Sequence, residues 1–211
     1  MVSRIMTDAP RPYHHGGLVE AMIAATVELI EERGVEDVSL REAAKRAGVS
    51  PGAPFRHFKS KTALMTAVAE QSMARLASAI AGEMPDALLD DPVAALQAMG
   101  HGYLRWAVDN PIHFRIVSSR TLIDFDGSAF LTGENARLRR VMMDILSRAR
   151  DQGRLPADTD LDLTLLSTRA FAYGLARMYV DGQFPEWHPH APPVEAMRRA
   201  VDAYVARLFT T

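Results

Sequence analysis

The stretch from Ser39 to Lys61, SLREAAKRAGVSPGAPFRHFKSK, concentrates side chains that bind phosphate. Arg41, Lys45, Arg46, Arg56, Lys59 and Lys61 are basic and Glu42 alone is acidic, a local net charge of +5 in a chain whose total is −2. A basic patch on a slightly acidic protein is the electrostatic footprint of a surface that meets a nucleic-acid backbone. Affinity for DNA would then come from this patch and not from the surface as a whole. The other candidate groups are weaker. His14-His15 and the pair His188 and His190 have no carboxylate or cysteine partners at ligand spacing, so no metal site is expected. There is no G-x-S-x-G, no phosphate-cradling glycine loop after a strand and no HExxH. Asp90-Asp91 and Asp160 with Asp162 read as charges at helix N-termini, not as an acid/base pair. Neither catalysis nor a cofactor is expected.

The elements that must position the basic residues are short helices with clear punctuation. Ser39 and Glu42 form the S-x-x-E pattern of a capping box. The helix from about Leu40 to Ala47 places Ala43, Ala44 and Ala47 on one side and Arg41, Lys45 and Arg46 on the other. Gly48 stands where a helix ends in a left-handed conformation, and Ser50-Pro51 is again a cap and first-turn pair. A further helix is predicted over about Pro51 to Phe58. This is a helix-turn-helix layout. Upstream, Leu18, Met22, Ala25 and Leu29 repeat at the 4-3-4 spacing of one helical face, which predicts a helix from Leu18 to Arg33. Residues 1–16 read as a flexible tail. Ser60 would cap a connecting helix over 61–81, with Leu64, Val68 and Gln71 or Ser72 facing inward.

Downstream, the punctuation continues. Gly82 to Asp91 marks a boundary, and Asp91-Pro92 opens a helix that reaches Val108 and stops at Asn110-Pro111. A short helix is predicted over Ile112–Ser118 and a loop over Leu122–Gly133. A long helix follows from Glu134 to Gln152, closed by Gly153. Asp160–Val180 is apolar on two faces, so it is expected to be buried on two sides. After the proline-rich segment Pro185–Pro193, a last helix to about Leu208 would bury Val194, Met197, Val201, Tyr204, Val205 and Leu208. No stretch alternates like a strand, so the chain is expected to be all-α. No apolar run approaches the roughly 18 residues that span a bilayer. With no cysteine to form a disulfide and no apolar leader, a cytoplasmic location is expected.

The run GVSPGAPFRHFKSKTAL, Gly48 to Leu64, resembles the DNA-binding head of TetR/AcrR-family transcriptional regulators. The likeness is densest over Leu18–Val68 and extends more weakly to YLRWAVDNPIHFRI, Tyr103–Ile116. It implies a helix-turn-helix DNA-binding domain at 17–63 and a ligand-binding and dimerisation domain at 83–211. By the same resemblance, Arg41 would reach a base edge or phosphate and Lys61 would bind phosphate. Ser50, Gly52, Ala53, Pro54, Phe55, Arg56 and His57 would lie on or beside the helix that enters the major groove. Phe55 occupies the place usually held by a phosphate-contacting tyrosine and Ala53 that of a frequent threonine or serine, so two hydroxyl contacts are missing. Pro54 would present a rigid apolar surface, as to a thymine methyl.

The resemblance also implies a cavity among the later helices. Its candidate walls are His101, Tyr103, Trp106, Phe114, Phe125, Met142, Phe171 and Met178. Methionine and aromatic side chains suit an adaptable, mainly apolar site. Candidate polar anchors are His101, Arg105, Asn110, His113 and Arg169. The expected protein is a homodimeric repressor that binds double-stranded DNA at a near-palindromic operator and responds to a small-molecule effector, with no membrane partner. Its half-sites would lie about 34–36 Å apart. Two alternatives belong to other classes: an all-α ligand-binding protein or enzyme with a vestigial helix-turn-helix, and a sequence-tolerant architectural DNA binder.

Overall fold

A computed structural model of the chain describes residues 17–85, 90–188 and 190–209, and the regular structure among these described residues is helical throughout. The tail predicted at 1–16, with His14-His15, lies outside them. The chain divides into two compact units between Leu64 and Met65. That division falls inside the predicted connecting helix, so most of this helix belongs with the second unit.

In the first unit, helix α1 (Gly17–Arg33) buries Leu18, Met22, Ala25, Leu29 and Ile30, the stripe its spacing predicts. Helix α2 (Leu40–Arg46) starts at Ser39, whose Oγ accepts the Glu42 N–H at 3.3 Å. The reciprocal half of the box differs from expectation. The Ser39 hydroxyl donates to the Glu42 carboxylate at 2.9 Å, and that carboxylate also lies 3.8 Å from Arg33. Gly48, at φ +67°, then reverses the chain. Its N–H bonds to the Lys45 carbonyl and that of Val49 to the Ala44 carbonyl, the double closure that a left-handed residue permits.

The predicted helix over Pro51–Phe58 is not an α-helix. Only Pro54–Arg56 is regular, as a single 3-10 turn. The cause is local. Pro54 has no N–H to offer the Ser50 carbonyl and its ring would collide with it in an α-helix. Ser50 instead accepts the Ala53 N–H at 3.0 Å, and His57 and Phe58 both donate to the Pro54 carbonyl. Helix α3 (Lys61–Glu83) then begins at Ser60, whose Oγ accepts the Ala63 N–H at 3.1 Å.

The second unit is built around α4 (Pro92–Asp109), which packs against α5 (Pro111–Val117), α6 (Ala129–Asp151), α7 (Leu161–Val180) and α9 (Pro193–Leu208). Asp91 caps α4 through the N–H groups of Val93 and Ala94. Gly102 lets α4 lie backbone against backbone on α3: a Cβ there would sit 2.8 Å from Ile80 Cα and 2.9 Å from the Ala79 carbonyl oxygen. Helix α6 starts five residues before its predicted beginning. Ser128 caps it through the Leu131 N–H and Leu131 is fully buried, which outweighs the glycine at 133. The preceding loop is fastened to α3 by Asp124 N–H to Thr66 Oγ1 at 2.9 Å and by Ser128 Oγ to Glu70 at 2.6 Å.

Helix α7 is buried on one side only. Leu165, Thr168, Ala176 and Val180 face the unit, whereas Leu163 and Leu166 are 59% and 61% exposed and Tyr173 and Ala170 are also exposed. On α9, Met197, Val201 and Val205 are buried as predicted, but Val194 in the first turn is exposed. The proline-rich segment contains a four-residue helix, α8 (Phe184–Trp187), with Phe184 buried and Trp187 75% exposed.

His113 on α5 is buried, with Nε2 3.2 Å from the Gln71 amide oxygen on α3. Burial pushes its imidazole down to about 4 from an ordinary 6.5, and the charge of Arg75 acts in the same direction. The folded chain therefore binds fewer protons than the unfolded chain between those values. The stabilisation is complete above pH 6.5 and is lost as pH falls toward 4. Thermal melts between pH 7.5 and 4.5 are expected to show a falling Tm. The His113 contribution to the slope is at most about 1.4 kcal/mol per pH unit, and it should vanish in His113→Gln.

Candidate nucleic-acid interface and ligand cavities

The basic stretch resolves into two groups once the helices are placed. Arg46 is taken up within the head: its guanidinium reaches Glu32 at 2.6 Å and Glu28 at 3.2 Å, both on α1. Those hydrogen bonds hold the Glu32 carboxyl below the usual carboxylate range. Lys61 donates to the backbone carbonyls of Val35 at 2.6 Å and Glu36 at 3.0 Å, so two of its three donors fasten α3 to the linker after α1. Arg41, Lys45, Arg56 and Lys59 are exposed and form no ion pair among the described residues. These four are the cations free to meet phosphate.

Of the other residues proposed for DNA contact, Ser50, Gly52 and His57 are exposed and Phe55 is 51% exposed. Ala53 is half-buried. Pro54 is buried, which corrects its expected place against a thymine methyl: its ring is part of the packing beneath the turn. Phe58 is buried as the core aromatic of the head.

The second unit contains two neighbouring cavities, of about 90 Å³ and 330 Å³. The smaller is lined chiefly by apolar side chains, among them Ile80, Leu96, Met99, Met142, Phe171 and Val205. Phe171 stacks on Tyr204 with ring centroids 4.4 Å apart. The larger is bordered by Trp106, Phe114, Phe125, Arg120, Asn135 and Tyr173. Leu76, Tyr103, Leu138 and Arg169 line both, so they form the partition between them. Tyr103, Trp106 and Phe114 run as a chain of tilted rings with centroids 5.9 Å and 6.0 Å apart. Burial pushes the Tyr103 phenol up, opposed by the positive charge of Arg169. The Trp106 indole N–H is buried without a hydrogen-bond partner, at a cost of ~1–3 kcal/mol for such a group.

Six of the eight expected wall residues border a cavity: Tyr103, Trp106, Phe114, Phe125, Met142 and Phe171. His101 does not. It faces α9, with Nε2 2.9 Å from Asp202 at an angle too poor for a hydrogen bond and Nδ1 3.4 Å from Arg198. Met178 lines neither cavity; it sits in the last turn of α7, where its carbonyl accepts the Gln183 N–H. Among the polar anchors, Arg105 pairs with Glu83 at 2.7 Å and Asn110 accepts from Arg75 at 3.1 Å, which leaves Arg169 as the one that borders the cavities. Leu76 and Ile80 were not anticipated, although they continue the four-residue spacing of Leu64, Val68 and Ser72. Among the described residues no three metal-ligating side chains come together, and no helix is long and apolar enough to cross a membrane.

A helix-turn-helix head with free cations, followed by a helical unit holding apolar cavities, is the layout of a ligand-responsive DNA-binding regulator. Residues 22–68 match the bacterial regulatory proteins of the tetR family, and residues 96–204 match the tetracyclin repressor-like C-terminal domain. The chain belongs to the TetR family of transcriptional regulators. It is 29% identical over 161 residues to the HTH-type transcriptional regulator BetI of Cronobacter sakazakii, an alignment covering 76% of this chain and 74% of that protein. A solved structure of a protein of unknown function from Rhodococcus sp. RHA1 matches 95% of this chain and 100% of its own, with a TM-score of 0.75 and 25% identity. A tetR-family regulatory protein from Rhodococcus RHA1 shares the fold at a TM-score of 0.71 and 20% identity, over 90% of this chain and 96% of that one.

Proposed function

We propose that the protein is a homodimeric repressor that leaves a near-palindromic operator when a small, mainly apolar effector occupies the cavities. The observation that carries this reading is the route from cavity to head: Leu76 and Ile80 border the cavities and belong to α3, the helix whose first residues lie in the head. An effector acts only through its differential affinity for the two states of the head, so contacts on α3 are where that difference would be made. Arg41 and Arg56 would read or fix the DNA, Lys45 and Lys59 would meet phosphate, and Lys61 would keep one donor for it.

The dimer accounts for the outer face of α7. Leu163, Leu166, Ala170 and Tyr173 recur at 3-4-3 spacing, the seam a helix offers to another helix. Joined with α9, such a face makes a self-complementary four-helix interface. The test is a gel-shift titration on DNA upstream of the gene against scrambled DNA, with light scattering of the same samples. Specific binding by a particle of twice 23.2 kDa is expected. Leu163→Glu, which touches neither cavity, should yield a monomer and lose the specific shift. Equal affinity for both DNAs would favour the architectural reading, and no binding at low salt would remove the repressor reading altogether.

A further inference from the structure

We infer that the effector is an amphipathic monoanion, its acidic group taken by Arg169 and its apolar body by the larger cavity. This rests on the reading of the two cavities as the effector site. Three observations support it. The charged groups around the cavities are cations: Arg169 on the partition and Arg120 beside the larger. No aspartate or glutamate lines either cavity. Finally, Arg169 is not taken up within the protein. Arg169 is exposed on α7 and has no ion pair or hydrogen bond among the described residues.

Arg120 contributes positive charge but is partly engaged, its guanidinium lying 3.2 Å above the Phe125 ring. Arg169 is the cation placed at the junction, where it borders the apolar compartment and the polar one at once. A cationic ligand would meet two arginines and no counter-charge. A neutral apolar one would make no use of either arginine. A carboxylate supplies the acceptors that an arginine at the junction can take, and its chain has room in the 330 Å³ of the larger cavity, along Leu76, Trp106, Phe114 and Phe125.

The test uses decanoate, decanol and decyltrimethylammonium as probes of matched tail and different head. Trp106 serves as the fluorescent reporter once the exposed second tryptophan is removed by Trp187→Phe. Decanoate is expected to bind saturably and at least tenfold more tightly than decanol. Arg169→Gln should weaken decanoate about ten- to hundredfold, the range of a charge-assisted contact, and leave decanol unchanged. Should Arg169→Gln melt early, Arg169→Lys serves instead, with a smaller loss because it keeps the charge without the paired donors. Decanol or decyltrimethylammonium binding as tightly as decanoate overturns the inference while leaving an effector cavity in place. So does decanoate binding that ignores Arg169. If none of the three perturbs Trp106, the effector reading of these cavities fails with it, whereas the DNA titration above reports on the head independently.

Discussion

Replacing Arg41 and Arg56 together with alanine is expected to weaken binding to the DNA site chosen by the wild type by about a thousandfold. Among the described residues four cations of the head are free of ion pairs, and these two are arginines, with planar donors suited to guanine edges and phosphate. A dimer presents each twice. At about 1 kcal/mol per lost contact, four contacts amount to roughly three powers of ten. The salt dependence should fall too, by about 0.9 in log–log slope for each phosphate contact removed. Fluorescence anisotropy between 50 and 200 mM salt measures both. The informative control is Arg46→Ala. Arg46 lies in the same sequence stretch but is held by Glu28 and Glu32. Its loss should change DNA affinity by less than about threefold, since it has no free charge to offer. An Arg46→Ala defect as large as that of the double variant would show that the division of the basic stretch is wrong.

The second large effect concerns stability. Gly102→Ala is expected to destabilise the fold by about 2–3 kcal/mol, lowering Tm by roughly 5–10 °C for a chain of this size. The added methyl would meet Ile80 Cα and the Ala79 carbonyl, and backbone cannot step aside as a side-chain tip can. Gly133→Ala provides the opposite outcome within the same unit. Gly133 is exposed inside α6 with nothing within 4 Å of the added carbon, so alanine there should stabilise by up to about 1 kcal/mol. Paired thermal melts of the two variants decide it. Equal Tm values would mean that α3 and α4 are not in backbone contact.

Much of this was legible in the residues because helix ends are written locally. Asp91-Pro92, Asp160 and Ser39 announce N-termini, and Gly48 and Gly153 announce C-termini, each by a side chain or backbone angle that a reader of neighbouring positions can anticipate. What escaped were facts settled by residues far away in sequence. Arg46 looks like any other cation of the stretch until α1 brings two carboxylates to it. His101 carries the right chemistry for a cavity anchor but shares α4 with Tyr103 on a different side, toward α9. Gly133 misled in the other direction: its low helix propensity pointed to a loop, and the Ser128 cap with buried Leu131 overrode it. The candidate cavity was legible as a composition of aromatics and methionines, but its partition was not. Tyr103 and Arg169 come from α4 and α7, which only tertiary packing brings together.

The 3-10 turn at Pro54–Arg56 has one more consequence. Pro51 and Pro54 each fix a backbone angle, Gly52 sits between them, and the buried ring of Pro54 pins the segment from beneath. Ordering a flexible residue costs ~1–2 kcal/mol of conformational entropy. Here that cost falls on the folding of the chain, and little of it is left for the moment of docking. If the head docks as proposed, the side chains that stand on the turn, Phe55, Arg56 and His57, would reach DNA on a backbone already in its final shape, so changing what they are would alter which sequence is preferred without altering how the head must rearrange to read it.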